Sequence, residues 1–216
     1  MSAKKNAIIC IGGEAPNADI CSWNTDVCIA ADSGVCTCDN LGYTPDCIIG
    51  DFDSVSFADA KTLFPTARTI AHEVEKDKTD TELAILHARE QGCDDITLVG
   101  GQGGELDHFI GLLYLFMRPY APTRIVMKDT QIELITEYFS VDMYEGQNIS
   151  FFPSVHDGIP TKQKSTGLRW NLDTHELSSA FTSSRNRAVK KRVEVTMERG
   201  RLIAVWQHHN KAQQCS

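Results

Sequence analysis

Two aspartates that follow a short apolar run have the chemistry and spacing of metal ligands. Asp51 and Asp53 stand two residues apart, directly after the run that ends at Gly50. Two carboxylates on one loop can converge on a hard cation, and Mg²⁺ is typically bound by one or two carboxylates together with substrate phosphates. Asp80, at the start of a helical pattern, can supply a third carboxylate. Alternatively, Asp51 and Asp53 only stabilise a turn, and Asp80 only stabilises the start of a helix.

A glycine run at residues 100–104 precedes a helical pattern and is a second candidate. Glycines there let backbone amides approach an anion, and the N-terminus of a helix attracts negative charge. The run therefore predicts a phosphate site, although it has neither the Gly-Lys-Ser/Thr of a Walker loop nor the spacing of the dinucleotide fingerprint. Asp107 and His108 follow on the first helical turn and can orient groups there. Alternatively, the glycines only permit tight packing, and His108 has only a structural role.

Two features of the C-terminal part can bind charged ligands. Trp170 can stack on a cationic ring, or it can be a core residue. The basic run at residues 185–192 can bind phosphates or nucleic acid, although a solvated strand face is the simpler interpretation.

The elements that must position these residues alternate between strand and helix up to about residue 138. Short, nearly continuous apolar runs predict strands buried on both faces, at 7–11, 27–31, 47–49, 96–99 and 125–127. Helices are predicted at 79–91, where Thr79 and Glu82 can form a capping box, and at 106–117. Alternating strands and helices predict an α/β fold with a mostly parallel sheet flanked by helices. Ligands bind outside the carboxyl ends of such strands, which is where Asp32 and Asp51 lie.

From about residue 139 the pattern changes to strands and turns. Strands are predicted at 149–152, 167–172, 189–195 and 201–206, separated by glycine and proline turns. We therefore predict two domains, with residues 1–138 forming the α/β domain and residues 139–216 forming a small antiparallel β domain.

Charge and composition narrow the class of protein. The chain has 216 residues and a net charge of −8, but residues 1–140 contain 22 acidic against 10 basic side chains. An acidic first part argues against nucleic-acid binding and suits metal ions or a cationic ligand.

No apolar run approaches the roughly 20 residues of a membrane helix, and none forms a signal-peptide core. The eight cysteines include no CxxC pair. We therefore expect reduced thiols and a cytoplasmic location.

In their order and spacing, the motifs resemble those of thiamine pyrophosphokinases along nearly the whole chain. The matching segments are 32–34, 45–46 with 50–54, 77–80, 100–104 with the following Asp-His pair, and 166–172. The resemblance implies an α/β catalytic domain, a C-terminal all-β sandwich domain, and a homodimer with thiamine bound between subunits. It also implies that a pyrophosphoryl group is transferred from ATP to the hydroxyethyl group of thiamine, which releases AMP.

The resemblance further implies roles for individual residues. Mg²⁺ would be held by Asp51, Asp53 and Asp80, which together with Asp32 would form the catalytic set. ATP and its phosphates would lie against Ser33, Gly34, Gly101, Gly103, Gly104, Asp107 and His108. Thiamine would pack against Trp170, with Asn186 and Ser184 as further contacts.

Three departures from the family pattern keep other functions open, one of them Leu112, which falls near a position where the family often has a polar residue. Glu105 stands where the family usually has an arginine, so an anion replaces a cation that would attract phosphate. The family's Ser-Asn-Glu element appears here as Arg185-Asn186-Arg187. The alternatives are a related transferase acting on another small alcohol, and an inactive paralogue that binds thiamine or a nucleotide.

Overall fold

A computed structural model describes residues 4–17, 25–51, 57–72, 77–154 and 159–208 of the chain. The chain divides into two compact units. The first comprises Met1–Leu115 and Pro119–Lys128, and the second comprises Phe116–Arg118 and Asp129–Ser216. The first unit thus ends at Lys128, ahead of the domain division that the sequence predicts after residue 138.

In the first unit, strands alternate with helices, and all strand pairs among the described residues are parallel. The strands are β1 (Lys5–Cys10), β2 (Val27–Ala31), β3 (Cys47–Gly50), β4 (Arg68–Ala71), β5 (Cys93–Val99) and β6 (Arg124–Val126). The helices are α1 (Gly34–Leu41), α2 (Phe57–Leu63), α3 (Asp80–Glu90) and α4 (Leu106–Leu115). Along the sheet the strands follow the order β6-β5-β1-β2-β3-β4.

The central strands are buried on both faces, which explains their continuous apolar sequence. Ile9 of β1 pairs with Ile29 of β2 on one side and with Leu98 of β5 on the other, and all three are fully buried. Helices α1 and α3 pack against these strands. A strand covered on both faces has no solvent side on which polar residues could alternate.

Helix α3 begins and ends where its sequence predicts. The hydroxyl oxygen of Thr79 accepts a hydrogen bond from the N–H of Glu82 at 3.2 Å, which caps the first turn. At the other end, Gly92 has a φ of 81° and its N–H donates to the carbonyl of Arg89. Helix α4 starts at Leu106 as predicted and ends at Leu115, two residues earlier than expected.

The second unit is a β-sandwich. Its strands are β7 (Thr130–Ile135), β8 (Tyr138–Asp142), β9 (Asn148–Pro153), β10 (Lys162–Thr166), β11 (Ser183–Arg187), β12 (Arg192–Arg199) and β13 (Leu202–Gln207). One antiparallel group has the order β11-β9-β13-β7, and the other has the order β10-β12-β8. Both groups contribute to one core, in which the rings of Phe139 and Trp206 meet edge to face at 5.6 Å.

These features confirm the predicted fold class, an α/β unit with a mostly parallel sheet and an all-β sandwich unit. Within the described ranges, no helix has both the length and the apolar character to cross a membrane.

Two strands predicted from the sequence differ in position from the strands in the structure. Residues 167–172 form a loop, in which Gly167 has a φ of 81° and a short 3₁₀ turn follows at Leu172–Thr174. Side chains hold this loop, because Asp173 Oδ1 accepts from the N–H of Ser165, and Ser165 Oγ accepts from the N–H of Leu172. The strand predicted at 189–195 begins only at Arg192, since residues 189–191 form the turn that precedes it.

Candidate active site

An acidic cleft of about 370 Å³ lies in the first unit, at the carboxyl ends of β1, β2 and β3. It is lined by Gly12, Ala31, Asp32, Ser33, Asp51, Asp77, Lys78, Thr79, Asp80, Thr81 and His108. The structure thus brings together five predicted site residues, namely Asp32, Ser33, Asp51, Asp80 and His108. The carboxylates approach one another because parallel strands end at the same edge of the sheet.

Asp32 has the most unusual environment in the cleft. Its φ is 46°, in the left-handed region that costs free energy for a residue other than glycine. Its main-chain N–H donates to the carbonyl of Ile49 at 2.8 Å, which fixes the turn. The Oδ1 atom is buried and has no hydrogen-bond partner among the described residues. A buried carboxylate oxygen without a donor is costly, and a bound cation would compensate it.

Close backbone approach explains two glycines around Asp32. A Cβ atom at Gly34 would lie 2.0 Å from the carbonyl oxygen of Cys10, and a Cβ at Gly12 would lie 2.2 Å from Ser33 Oγ. A side chain at Gly34 would push the turn away from β1, whereas a side chain at Gly12 would require the hydroxyl of Ser33 to rotate. The turn after β2 therefore depends on glycine for packing.

Asp51 and Asp80 reach the cleft from different elements. Asp51 follows β3 and Asp80 is the first residue of α3; both are half-buried. Asp53, the remaining predicted metal ligand, lies outside the described residues, so its place beside Asp51 stays a prediction. Lys78, which sequence reasoning did not single out, is exposed at the cleft and adds a cation suited to phosphate.

The amides at the start of the glycine run already have main-chain partners. The N–H of Gly100 donates to the carbonyl of Val126 at 3.0 Å, and the N–H of Gly101 donates to that of Gly12 at 2.7 Å. A Cβ at Gly101 would lie 2.8 Å from Leu112 Cδ1. The glycine at 101 therefore permits close packing, and its amide is not available to an anion.

The second half of the run is more open. A Cβ at Gly103 would lie 2.9 Å from Glu14 Oε1, and Glu14 in turn forms an ion pair with Lys128 at 2.6 Å. Among the described residues other than its chain neighbours, no atom would lie within 4 Å of a Cβ at Gly104. Asp107 Oδ1 accepts from the N–H of His108 at 2.8 Å. Within the described part of the chain, the lining of the cleft includes His108 but not Gly34, Gly101, Gly103, Gly104 or Asp107.

In the second unit, Trp170 lies at a separate cavity of about 480 Å³. Trp170 is 55% exposed, which excludes the interpretation as a core residue. The guanidinium carbon of Arg169 lies 5.2 Å from the centroid of the Trp170 ring. His175 and Phe181, whose ring centroids are 5.0 Å apart, also line the cavity. An exposed aromatic ring with such neighbours can pack against a flat ligand.

Asn186 is buried and positions Trp170 through its side chain. Its Oδ1 accepts from the N–H of Trp170 at 3.2 Å, and its Nδ2 donates to the carbonyl of Trp170 at 2.7 Å and to Ser183 Oγ at 3.1 Å. Ser184 is exposed and does not line the cavity, whereas Ser183 does. Ser183, His175 and Phe181 were missed by sequence reasoning, because no spacing of residues marks them.

The fold and the cleft define a class of protein. Carboxylates gathered at the strand ends of a parallel sheet, with a lysine beside them, are typical of enzymes that transfer phosphoryl groups with the help of a divalent cation.

Comparison with known proteins identifies the family. The model of the thiamin pyrophosphokinase catalytic domain matches residues 21–127. The thiamine pyrophosphokinase of Bacillus subtilis (strain 168) is 29% identical over 187 residues, which cover 82% of this chain and 85% of that protein. Thiamine pyrophosphokinase 1 of Oryza sativa subsp. japonica is 27% identical over 175 residues, which cover 73% of this chain and 64% of that protein.

The fold agrees with this match. The crystal structure of the Bacillus subtilis thiamine pyrophosphokinase superposes with a TM-score of 0.78 at 23% identity, covering 95% of this chain and all of that one. The matching family model, the curated relatives and the superposed structure all point to the thiamin pyrophosphokinase family. The resemblance found in the sequence and the prediction of an enzyme are confirmed.

Proposed function

We propose that the chain transfers a pyrophosphoryl group from ATP to the hydroxyethyl group of thiamine, forming thiamine diphosphate and AMP. The observation that carries the proposal is the acidic cleft, in which Asp32 Oδ1 is buried and has no hydrogen-bond partner among the described residues. The match to the family model and the names of the two curated relatives support thiamine as the acceptor.

An ATP-using kinase family generally uses a divalent metal ion, and the cleft fits one. Its donors are carboxylate oxygens, which hard cations prefer, and the unpartnered oxygen of Asp32 is the kind of group that a cation compensates. In this proposal Mg²⁺ is held by Asp51 and Asp80, with Asp53 as the third predicted ligand. When bound, Mg²⁺ would neutralise charge on the phosphates of ATP.

The protein's own residues then bind and orient the substrates. Lys78 and His108 both line the cleft and, in this proposal, hold phosphate oxygens together with Ser33. The amides of Gly103 and Gly104, which lie beyond the two bonded amides of Gly100 and Gly101, are further candidates for binding phosphate. Such a site works mainly by positioning the reacting groups and neutralising their charge.

Trp170 is proposed to pack against the cationic thiazolium ring of thiamine. Asn186 does not need to touch thiamine for this role, because it fixes the backbone of Trp170 through two hydrogen bonds. In the same proposal the chain acts as a cytoplasmic homodimer, with thiamine bound between the subunits.

The test is a product assay with purified protein, ATP, Mg²⁺ and thiamine, in which AMP, ADP and thiamine diphosphate are resolved. We expect AMP and thiamine diphosphate in equal amounts, and neither after the metal is chelated. Asp51→Asn should abolish turnover, whereas Asp39→Asn, an exposed aspartate on α1, should not. ADP in place of AMP would contradict pyrophosphoryl transfer, and bound thiamine without any product would favour an inactive paralogue that carries Glu105.

A further inference from the structure

Three cysteine side chains meet in the core of the first unit. Cys10 ends β1, Cys28 lies in β2 and Cys38 lies in α1, with 0%, 3% and 0% of their surfaces exposed. Their sulfur atoms all lie within 4.8 Å of one another. None of the three forms a disulfide. The proposed transfer reaction uses none of them.

Sheet pairing creates this cluster. Cys10 pairs with Ala30 across β1 and β2, and Cys28 precedes Ala30 by two residues, so both cysteines point to the same face of the sheet. Cys38 is presented to that face by α1, which packs on β1 and β2. The surroundings are apolar and include Ile8, Val35 and Ile48.

The pKa values of the cysteine thiols differ within the cluster. Hydrogen bonds from the thiols of Cys10 and Cys38 lower the pKa of Cys28, and the same contacts, together with burial, raise the pKa of Cys38. Asp46 adds a negative charge nearby, since its Oδ2 accepts from the N–H of Cys28 at 2.8 Å. The apolar surroundings and the charge of Asp46 therefore penalise a net negative charge on the cluster.

We propose that Cys10, Cys28 and Cys38 form a three-thiolate binding site for a thiophilic ion, and that trivalent arsenic is the ion this site accepts best. Thiolate sulfur prefers soft ions to the hard cations that carboxylates bind. The site is thus separate in position and in chemistry from the acidic cleft.

Distances permit such a site. Trivalent arsenic keeps a lone pair, so its three bonds to sulfur are pyramidal; with bonds of ~2.3 Å, close to the zinc–thiolate length, they hold the sulfurs roughly 3.5 Å apart. The sulfurs lie within 4.8 Å of one another, so small rotations about the Cα–Cβ bonds close the remaining gap.

The net charge of the three-thiolate complex favours trivalent arsenic over Cu⁺ and Zn²⁺. Arsenous acid is neutral; when it reacts with three thiols, three As–O and three S–H bonds break, and three As–S bonds form with release of three waters. Arsenic stays trivalent, no electrons are transferred, and the product is neutral. Three thiolates around Cu⁺ or Zn²⁺ leave uncompensated negative charge, which is costly in an apolar core and beside Asp46.

The test uses the reduced full chain with sodium arsenite as the probe. Native mass spectrometry should show one arsenic per chain with the loss of three hydrogens, and the unfolding temperature should rise because the ligand binds only the folded state. Cys38→Ala should abolish both effects. The matched controls Cys47→Ala, a buried cysteine in β3, and Cys36→Ala, an exposed cysteine in α1, should leave both unchanged.

A second measurement does not depend on any variant folding. After arsenite treatment, a brief pulse of thiol alkylation in denaturant, shorter than the time in which arsenic leaves the unfolded chain, followed by peptide mapping should find Cys10, Cys28 and Cys38 protected and Cys47 modified. Arsenic bound to other cysteines, or no binding at all, would overturn the site. Parallel titrations with Cu⁺ and Zn²⁺ test the charge argument, which fails if either ion displaces arsenite at equal concentration.

Discussion

The main-chain N–H of Asp32 donates to the carbonyl of Ile49 at 2.8 Å, and this bond holds the residue after β2 against the end of β3. Gly50 follows Ile49, and a Cβ there would lie only 3.3 Å from the Cα of Asp32. Asp51 comes next and lines the same cleft as Asp32. Backbone contacts therefore place the two carboxylates before any ligand binds, which reduces the free-energy cost of assembling the site.

We expect Asp32→Asn to lower turnover by about 100-fold or more, the effect of removing one group that stabilises charge in a transition state. Asparagine tolerates the left-handed backbone at this position and keeps the size of the side chain, so the unfolding temperature should change little. Steady-state kinetics and thermal unfolding measure both. Asp39→Asn is the control, and full turnover in Asp32→Asn would exclude the carboxylate from catalysis.

The close approach of Gly34 to Cys10 predicts a stability effect. Gly34→Ala places a Cβ 2.0 Å from the carbonyl oxygen of Cys10, and we expect a loss of about 3 kcal/mol in the free energy of unfolding. Gly111 lies inside α4, and in the described part of the chain no atom outside its own helix backbone lies within 4 Å of its Cβ position. Gly111→Ala should therefore stabilise the protein by about 1 kcal/mol. Urea unfolding compares the two, and equal stabilities would contradict the close contact.

How much of this molecule its sequence predicts depends on the range of the interactions. The strand at Val27–Ala31 and the helix from Asp80 were predictable, because a continuous apolar run and a capping threonine are local signals. The loop at 167–172 was not, since its shape comes from hydrogen bonds between Ser165 and Asp173, eight residues apart. A pattern rich in β-forming residues cannot reveal such a bond.

The candidate site likewise combines residues that local sequence signals predict with residues that only long-range contacts bring together. The aspartates after strands were predictable, because parallel strands place their carboxyl ends together. The role of Asn186 as a support for Trp170 was not, since it follows from hydrogen bonds across 16 residues. The cysteine cluster likewise joins residues 10, 28 and 38 only through sheet pairing and helix packing.

Acid should weaken the second unit through Glu198. Its carboxylate forms ion pairs at 3.0 Å with Lys162 and Lys164, which lower the pKa of Glu198 below its ordinary value of 4.5. The contribution to stability is therefore fully present above pH 4.5 and is lost as the pH falls through the lower pKa of the folded state.

We therefore expect Glu198→Gln to reduce the loss of stability between neutral pH and about pH 3. Urea unfolding at several pH values measures it, with Glu145→Gln, an exposed glutamate in a turn, as the control. Parallel pH profiles for the wild type and Glu198→Gln would show that the ion pairs contribute nothing.

Trp170 should determine affinity for thiamine without contributing to stability. Its ring is 55% exposed, so Trp170→Ala removes little buried surface and should leave the unfolding temperature unchanged. Loss of a cation–π contact worth ~1.4 kcal/mol raises the KM for thiamine about tenfold, while the KM for ATP stays the same.

Trp170→Phe keeps an aromatic face and should recover part of the affinity. Tyr138→Ala, which removes a comparably exposed ring from β8, is the matched control. An equal rise in both KM values for Trp170→Ala would indicate a general disturbance of the protein rather than a contact with thiamine.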